Sequence, residues 1–176
     1  NQYFTVLDLK SGFHQITLRE EDREKTAFSV NNGKYEYTRL PFGLKNAPSI
    51  FQRALDDILR EFIGKICYVY VDDIIIFSKD EKSHLEHLRK IFRTLELANM
   101  KVQLDKCEFF KHEVEFLGFV VSKEGIMTNP KKVDSILKFS YPKTLKELRS
   151  FLGLSGYYRR FIYADIATPL TTLLRG

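Results

Sequence analysis

The chain predicts an α+β fold: an antiparallel sheet carrying helices on one face, followed by a small helical lobe. Three observations predict it. Short apolar runs of β-type composition alternate with two longer segments whose apolar residues recur at three- and four-residue intervals. Two of those runs, residues 66–71 and 74–78, meet at the acidic step Asp72-Asp73 and read as a central hairpin. Beyond Val121 helix-capping signals follow one another without a further strand signal.

Residues 3–9 form the first strand, and Ser11-Gly12 breaks it before a second extended stretch over 13–18. The charged segment REEDREK (19–25) reads as a solvated connection. Residues 26–30 and 34–40 flank Asn31-Asn32-Gly33, whose Asn-Gly step supplies the positive φ angles of a tight hairpin. LPFGLKNAP (40–48) is rich in turn formers and leads into a helix with Asn46 as N-cap and Pro48 in its first turn. Ile50, Phe51, Leu55, Ile58, Leu59 and Phe62 make its apolar stripe, and Gly64 ends it. A helix over about 81–98 presents Leu85, Leu88, Ile91, Phe92 and Leu95 on one face, which leaves His84 and His87 on its solvated side. The next strand is expected over 114–121. Asn129-Pro130 then starts a helix running to 139, Pro142 breaks it, and Thr144 with Glu147 forms a capping box for a helix over 145–163. A last helix begins near Ile166.

The 176 residues suffice for one sizeable core with an appendage. An opening strand that starts at Asn1 suggests a piece of a longer polypeptide. No stretch approaches 18 uninterrupted apolar residues and no signal-peptide pattern opens the chain, so nothing in it argues for a membrane or secreted role. Cys67 and Cys107 stand isolated and read as small buried hydrophobes in a reducing compartment. Charge is unevenly distributed. Residues 1–122 carry 18 Lys and Arg against 19 Asp and Glu, whereas residues 123–176 carry 10 against 4. A basic lobe beside a neutral one suits a polyanionic partner, nucleic acid first, although a solvated basic surface has the same composition.

Asp72 and Asp73 sit inside the apolar run ICYVYVDDIIIF. Two adjacent carboxylates there are costly, since each is desolvated and each repels the other. Solvated turn punctuation is the plain alternative. A third carboxylate, Asp8, closes another apolar strand in YFTVLD, and three carboxylates at strand ends make a hard-oxygen site suited to magnesium.

The stretches FTVLDLKSGFHQI, TRLPFGLKNAPSIFQ, YVYVDDIIIFS, HLEHLRKIFRTL, KVQLDKCEFF, VEFLGFVVSKEGI and LRSFLGLSGYYRRFI run in this order over nearly the whole chain. They resemble the reverse transcriptases of LTR retrotransposons, the gypsy type in particular. The resemblance implies a polymerase palm over 1–122, with a residual fingers hairpin at about 19–45, and a basic thumb-like lobe over 123–176; the rest of the fingers is absent. It implies RNA-directed DNA synthesis, in which a primer 3′-hydroxyl attacks the α-phosphorus of a deoxynucleoside triphosphate opposite an RNA or DNA template. Two Mg²⁺ ions, replaceable by Mn²⁺, would assist from Asp8 and Asp72, with Asp73 as their less direct companion.

By the same resemblance Phe13, Phe42, Gly43, Lys45 and Tyr70 bind the nucleotide, Phe13 as a gate against the ribose 2′-hydroxyl. A core Phe fits that position as well. Lys106 takes the place of a general acid for the leaving pyrophosphate, or is an exposed strand-edge lysine. Leu117, Gly118 and Phe119 correspond to a primer grip, and Lys131, Lys132, Arg149, Arg159 and Arg160 to contacts with the nucleic-acid backbone. Tyr157 and Tyr158 stack on bases or pack in the core. Ribonuclease H, integrase and protease regions are expected on the parent polyprotein, working in cytoplasmic virus-like particles. Two rival functions remain open: a truncated fragment that binds primer-template without polymerising, and a magnesium-dependent nuclease.

Overall fold

The computed structural model describes residues 1–162 and 164–174. The chain forms two compact units, Asn1–Phe116 and Leu117–Gly176. The division falls inside the stretch expected to be one strand. Leu117 (φ 48°) and Gly118 (φ 70°) are both left-handed, so the extended backbone cannot continue through them. Two strands, β7 (Glu113–Phe116) and β8 (Phe119–Ser122), replace the expected one.

The first unit is built on a four-stranded sheet in the order β4-β5-β1-β6, from β1 (Tyr3–Asp8), β4 (Cys67–Tyr70), β5 (Asp73–Ser78) and β6 (Glu108–Lys111). β1 lies antiparallel to β5 in unbroken register from Tyr3↔Ser78 to Asp8↔Asp73. Strand periodicity then sorts the residues. Thr5, Leu7, Ile74, Ile76 and Cys67 share one face, and most of them join a buried core with α2 (Ala47–Ile58) and α3 (Glu81–Leu97). Phe51, Leu55, Leu88, Ile91 and Leu95 supply the helix side of that core. Asp8 and Asp73 fall on the opposite face.

β6 was not anticipated. Its pairing with β1 shifts register between Phe4 and Val6, where Phe110 adopts φ 53° and its N–H donates to Thr5 Oγ1 at 3.2 Å. Such a bulge blurs the two-residue pattern that reveals a strand. The extended stretch expected over 13–18 is instead a 3₁₀ turn, Gly12–Gln15, with a single bridge between Thr17 and Arg39. REEDREK contains the short helix α1 (Glu20–Arg23) and a second 3₁₀ turn. A hairpin forms there, but its two turn residues are Asn31 (φ 47°) and Asn32 (φ 65°) rather than the Asn-Gly step, Gly33 begins β3, and only β2 (Phe28–Val30) and β3 (Gly33–Tyr35) pair. Asn46 precedes α2 without a side-chain cap bond.

One correction concerns α3. His84 is fully buried and takes the core position expected of Leu85, which is exposed. The stripe is therefore His84, Leu88, Ile91 and Leu95. His84 Nε2 lies 2.8 Å from Thr5 Oγ1 and its Nδ1 2.8 Å from Ser78 Oγ, which also lies 2.7 Å from His87 Nδ1. Counting histidine as polar hid this, because two hydroxyls from neighbouring strands satisfy the ring. Cys67 is buried in the core, which pushes its thiol up to about 12, and Cys107 is also free.

The second unit holds the β8–β9 hairpin, with β9 at Gly125–Thr128, and three helices. α4 (Pro130–Leu137) is capped by Asn129, whose side chain accepts from the Lys131 N–H at 2.9 Å. α5 (Leu145–Gly156) carries the expected Thr144/Glu147 capping box but ends before the 3₁₀ turn Arg159–Phe161. Tyr163, the expected end of that helix, lies outside the described residues. α6 spans Ala164–Thr172. No helix among the described residues is long and apolar enough to cross a membrane.

Candidate active site

The register of β1 against β5 places Asp8 directly opposite Asp73, on the sheet face away from α2 and α3. Tyr70 of β4 pairs with Asp73 from the other side and is exposed. Asp72 follows Val71 in the two-residue turn between β4 and β5. Val71 has φ 50°, a conformation that a β-branched residue adopts at a cost of roughly 1–3 kcal/mol. Gln52 of α2 holds that turn. Its Oε1 accepts the Val71 N–H at 2.6 Å, while its Nε2 donates to Asp56 Oδ1 at 2.8 Å and to the Val69 carbonyl at 3.3 Å. From the other side the Leu9 N–H donates to the Asp72 carbonyl at 3.1 Å.

Gln52 lies six residues beyond the expected Asn46 cap, and nothing in the apolar stripe of α2 marks it. Replacing it with Leu removes the acceptor that keeps Val71 in place. A loss of about 1–3 kcal/mol in stability is expected from the orphaned N–H. Because the turn carries Asp72, the rate of any chemistry at the carboxylates should fall further, by roughly 10–100-fold. Denaturant melts alongside single-turnover rates test this; equal rates in a destabilised variant would remove Gln52 from the site.

The carboxylates are electrostatically strained. Asp72 Oδ1 is buried and makes no hydrogen bond. Gly12 roofs it so closely that a Cβ there would stand 1.8 Å from Asp72 Oδ1 and 2.9 Å from Phe51 Cζ. Burial first, then the charges of Asp8 and Asp73, push the Asp72 carboxyl above the usual carboxylate range. Burial and then Asp8 do the same to Asp73. Lys106, in a 3₁₀ turn before β6, opposes both, and its Nζ lies 3.8 Å from Asp8 Oδ1. With Lys106 64% exposed and Asp8 27% exposed, that pair is too well solvated to neutralise the cluster.

Among the described residues no three carboxylate, imidazole or thiolate groups stand close enough together to hold an ion by themselves. An unpartnered carboxylate oxygen beside two further carboxylates nevertheless fits a hard divalent cation. Mg²⁺ commonly takes one or two carboxylates and completes its shell with phosphate oxygens and water. Asp8, Asp72 and Asp73 are the residues that would hold it.

Phe13, in the turn after Gly12, is buried against Phe51 (5.5 Å, edge-on) and Phe42 (5.1 Å). Phe42 is exposed on its outer side, and Gly43 (φ 90°) has open space where a Cβ would lie. Lys45 is exposed ahead of α2.

In the second unit, hydroxyls hold the left-handed Leu117-Gly118 step. Tyr157 donates to the Leu117 carbonyl, and Tyr158 donates to the Gly118 carbonyl at 2.7 Å while accepting the Asn129 N–H at 3.3 Å. Phe119 stacks on Tyr157 at 5.3 Å, and Lys132 Nζ sits 4.7 Å from the Tyr157 ring centre. Tyr158 is therefore core, and one tyrosine pair ties Leu117, Gly118, Phe119 and Lys132 together. Lys131 lies beside Lys132 in the first turn of α4, Arg149 is exposed on α5, and Arg159 and Arg160 occupy the following 3₁₀ turn.

The model of the family described as "Reverse transcriptase (RNA-dependent DNA polymerase)" matches residues 1–121. The chain belongs to the reverse transcriptase family. It is 59% identical over 177 residues to the retrovirus-related Pol polyprotein from transposon gypsy of Drosophila melanogaster, and 58% identical to that from transposon opus of the same organism. Each alignment takes in 99% of this chain, which spans only 17% and 18% of those two proteins. Among solved structures, the foamy viral protease-reverse transcriptase in complex with double-stranded DNA superposes with a TM-score of 0.91 at 34% identity, covering 99% of this chain and 31% of that one.

In this reverse transcriptase chain the fold brings Asp8, Asp72, Asp73 and Lys106 together, and Phe13 with Phe42. Divalent metal ions are general to the family.

Proposed function

We propose that this chain is the catalytic core of an RNA-directed DNA polymerase, with residues 1–122 acting as palm and 123–176 as thumb. The reading rests on one observation above the others: two carboxylates facing each other on the open face of the sheet, and a third in the adjoining turn whose buried oxygen has no partner. Burial and mutual repulsion disfavour the charged forms of Asp72 and Asp73, and a cation would relieve both. A divalent ion bound there would supply Lewis-acid stabilisation of the oxygens that attack and leave the α-phosphorus. The all-carboxylate donor set suits a hard, oxygen-seeking ion such as Mg²⁺, with Mn²⁺ able to replace it.

Asp8 and Asp73 present charge from a rigid strand pair, and Asp72 does so from a turn that Gln52 holds in place. Phe13, fixed between Phe42 and Phe51, bars a 2′-hydroxyl, so the sugar selected is deoxyribose. Lys106 carries positive charge to the same side as Asp8 and can donate a proton to the departing pyrophosphate. In the second unit, Leu117, Gly118 and Phe119 are the residues offered to the primer, and Lys131, Lys132, Arg159 and Arg160 those offered to phosphates. Binding through such contacts weakens steeply with salt.

The deciding experiment is extension of a DNA primer on an RNA template with deoxynucleotides and Mg²⁺. Extension is expected from the wild-type chain, and Phe13→Ala should also incorporate ribonucleotides. Binding of primer-template with no extension would reduce this chain to a binding fragment, and primer shortening would make it a nuclease.

A further inference from the structure

α3 ends in a tight reversal. Ala98 is its C-cap, and Asn99 (φ 56°) takes the left-handed conformation that closes the helix. The Asn99 N–H donates to the Glu96 carbonyl at 2.9 Å and the Met100 N–H to the Leu95 carbonyl at 2.8 Å, the paired bonds of a Schellman motif. The chain then doubles back, and Val102 bridges Leu9 just beyond β1. Helix and returning segment together enclose a groove of about 940 Å³. Leu85, Leu88 and Phe92 line it from α3, and Met100, Val102 and Leu104 from the returning segment. The core uses His84, Leu88, Ile91 and Leu95, so Leu85 and Phe92 mark a second apolar line on the same helix. Leu85 is 41% exposed and Leu104 66% exposed. A lone exposed leucine is ordinary, whereas several gathered in one groove mark an interaction surface.

The rim of the groove is basic. Lys10, Arg89, Arg93 and Lys101 border it, and the one carboxylate among the lining residues, Glu96, accepts from Arg93 at 2.9 Å. Lys10, Arg89 and Lys101 pair with no carboxylate among the described residues. Arg89 and Arg93 stand one turn apart on α3, a spacing at which like charges repel. An apolar floor beneath uncompensated cations suits a partner of inverse pattern, with apolar anchors flanked by acids. Nucleic acid fits less well, because its phosphates would be desolvated against Leu, Phe and Met side chains. α3 also packs on the sheet face that points away from Asp8 and Asp73. A second copy of the chain offers no such helix: α2 buries its apolar stripe in its own core, and α5 flanks the exposed Leu145 with Lys146 and Arg149.

We infer that this groove docks an acidic amphipathic helix from outside these 176 residues, with Leu or Ile at i, i+3 or i+4 and i+7, and Asp or Glu beside them. Phe92 stands seven positions beyond Leu85. That is about 10 Å of helix, which three anchors of a partner helix span. The inference does not depend on the polymerase reading.

The test is fluorescence anisotropy of labelled peptides of about 15 residues, long enough to hold a helix once docked. Each is titrated with the 176-residue chain. One carries the leucine pattern with Glu flanks, another the same leucines with Lys flanks, and the last the Glu flanks with the leucines scrambled. Saturable binding of the first is expected, tighter by about tenfold or more than binding of the other two. Leu85→Ser, at an exposed position, should weaken it by about fivefold or more. Arg89→Glu/Lys101→Glu should reverse the preference toward the Lys-flanked peptide. Lys82→Glu/Lys90→Glu, an equal charge change at exposed positions of α3, should leave the preference as in the wild type. No binding, equal binding of the Glu- and Lys-flanked peptides, or a preference that fails to reverse overturns the proposal. Displacement of the peptide by single-stranded oligonucleotide of equal charge would assign the groove to nucleic acid instead. Self-association of the chain that Leu85→Ser abolishes would assign it to a second copy, and either result also overturns the proposal.

Discussion

Asp72→Asn should abolish primer extension, by on the order of 10³-fold or more, and at the same time make the folded chain more stable at neutral pH. Both halves follow from one feature. The Asp72 carboxylate is buried with an unpartnered oxygen and faces the charges of Asp8 and Asp73. Desolvation and repulsion both favour the protonated form, so the folded state holds its proton to higher pH than the unfolded chain does. Stability from this group is therefore present at low pH and declines as pH rises from 3.8 through the raised folded value. Asn keeps the shape and removes the charge, which also removes that decline. Urea titrations from pH 3 to 8 should show the wild type losing ground to the variant as pH rises, with primer-template binding retained. A variant that still extends primers would remove Asp72 from the chemistry. One that is less stable at pH 7 would overturn the electrostatic account.

The largest stability effect is expected at His84. His84→Ala deletes a fully buried ring and strips hydroxyl partners from Thr5 and Ser78, for a loss of about 3–5 kcal/mol. The same ring makes the wild type acid-sensitive. Burial, then the neighbouring His87, pulls its pKa down from 6.5 to about 4. An uncharged imidazole with one N–H and one lone pair can serve both hydroxyls, whereas the charged ring would have to be solvated where no solvent reaches. Between pH 6.5 and 4 the unfolded chain binds a proton that the folded chain refuses, so stability rises with pH across that window. Acidifying from 6.5 to 4 should cost about 3 kcal/mol through this group. His84→Ala, already weaker, should lose that slope. A wild-type midpoint that stays flat between pH 6.5 and 4 would falsify the buried-neutral assignment. Asp72 acts with opposite sign, so Asp72→Asn gives the cleaner background for the measurement.

Much of the site was legible because its signals are local. Asp8 and Asp73 close and open apolar runs, and strand alternation alone assigns them to the polar face once the strands pair. The Thr144/Glu147 box and the Asn129 cap each lie within four residues and formed as read. The misreadings share a different cause. His84 looks solvent-facing until Thr5, 79 residues away in sequence, supplies a hydroxyl. Residues 114–121 look like one strand because Leu and Gly do not forbid it. The positive φ angles at Leu117 and Gly118 come with hydroxyls from Tyr157 and Tyr158, 40 residues on. Gln52 looks like any polar residue on the outside of a helix until Val71 donates to it.

The sequence by itself determined the secondary elements with strong periodicity, the chemical character of the acidic hairpin, and the basic character of the last third. These depend on residue type and spacing within a few positions, and short-range sterics and hydrophobic alternation express them directly. Only the tertiary structure decided that Asp8 stands opposite Asp73, that Gly12 covers Asp72, and that Gln52 holds the Val71 turn. It also decided that Lys10, Arg89 and Lys101 share the rim of one groove. Each of these joins residues far apart in the chain, and no local preference specifies such a contact. It is set when the sheet takes its register and the helices settle on one face of it.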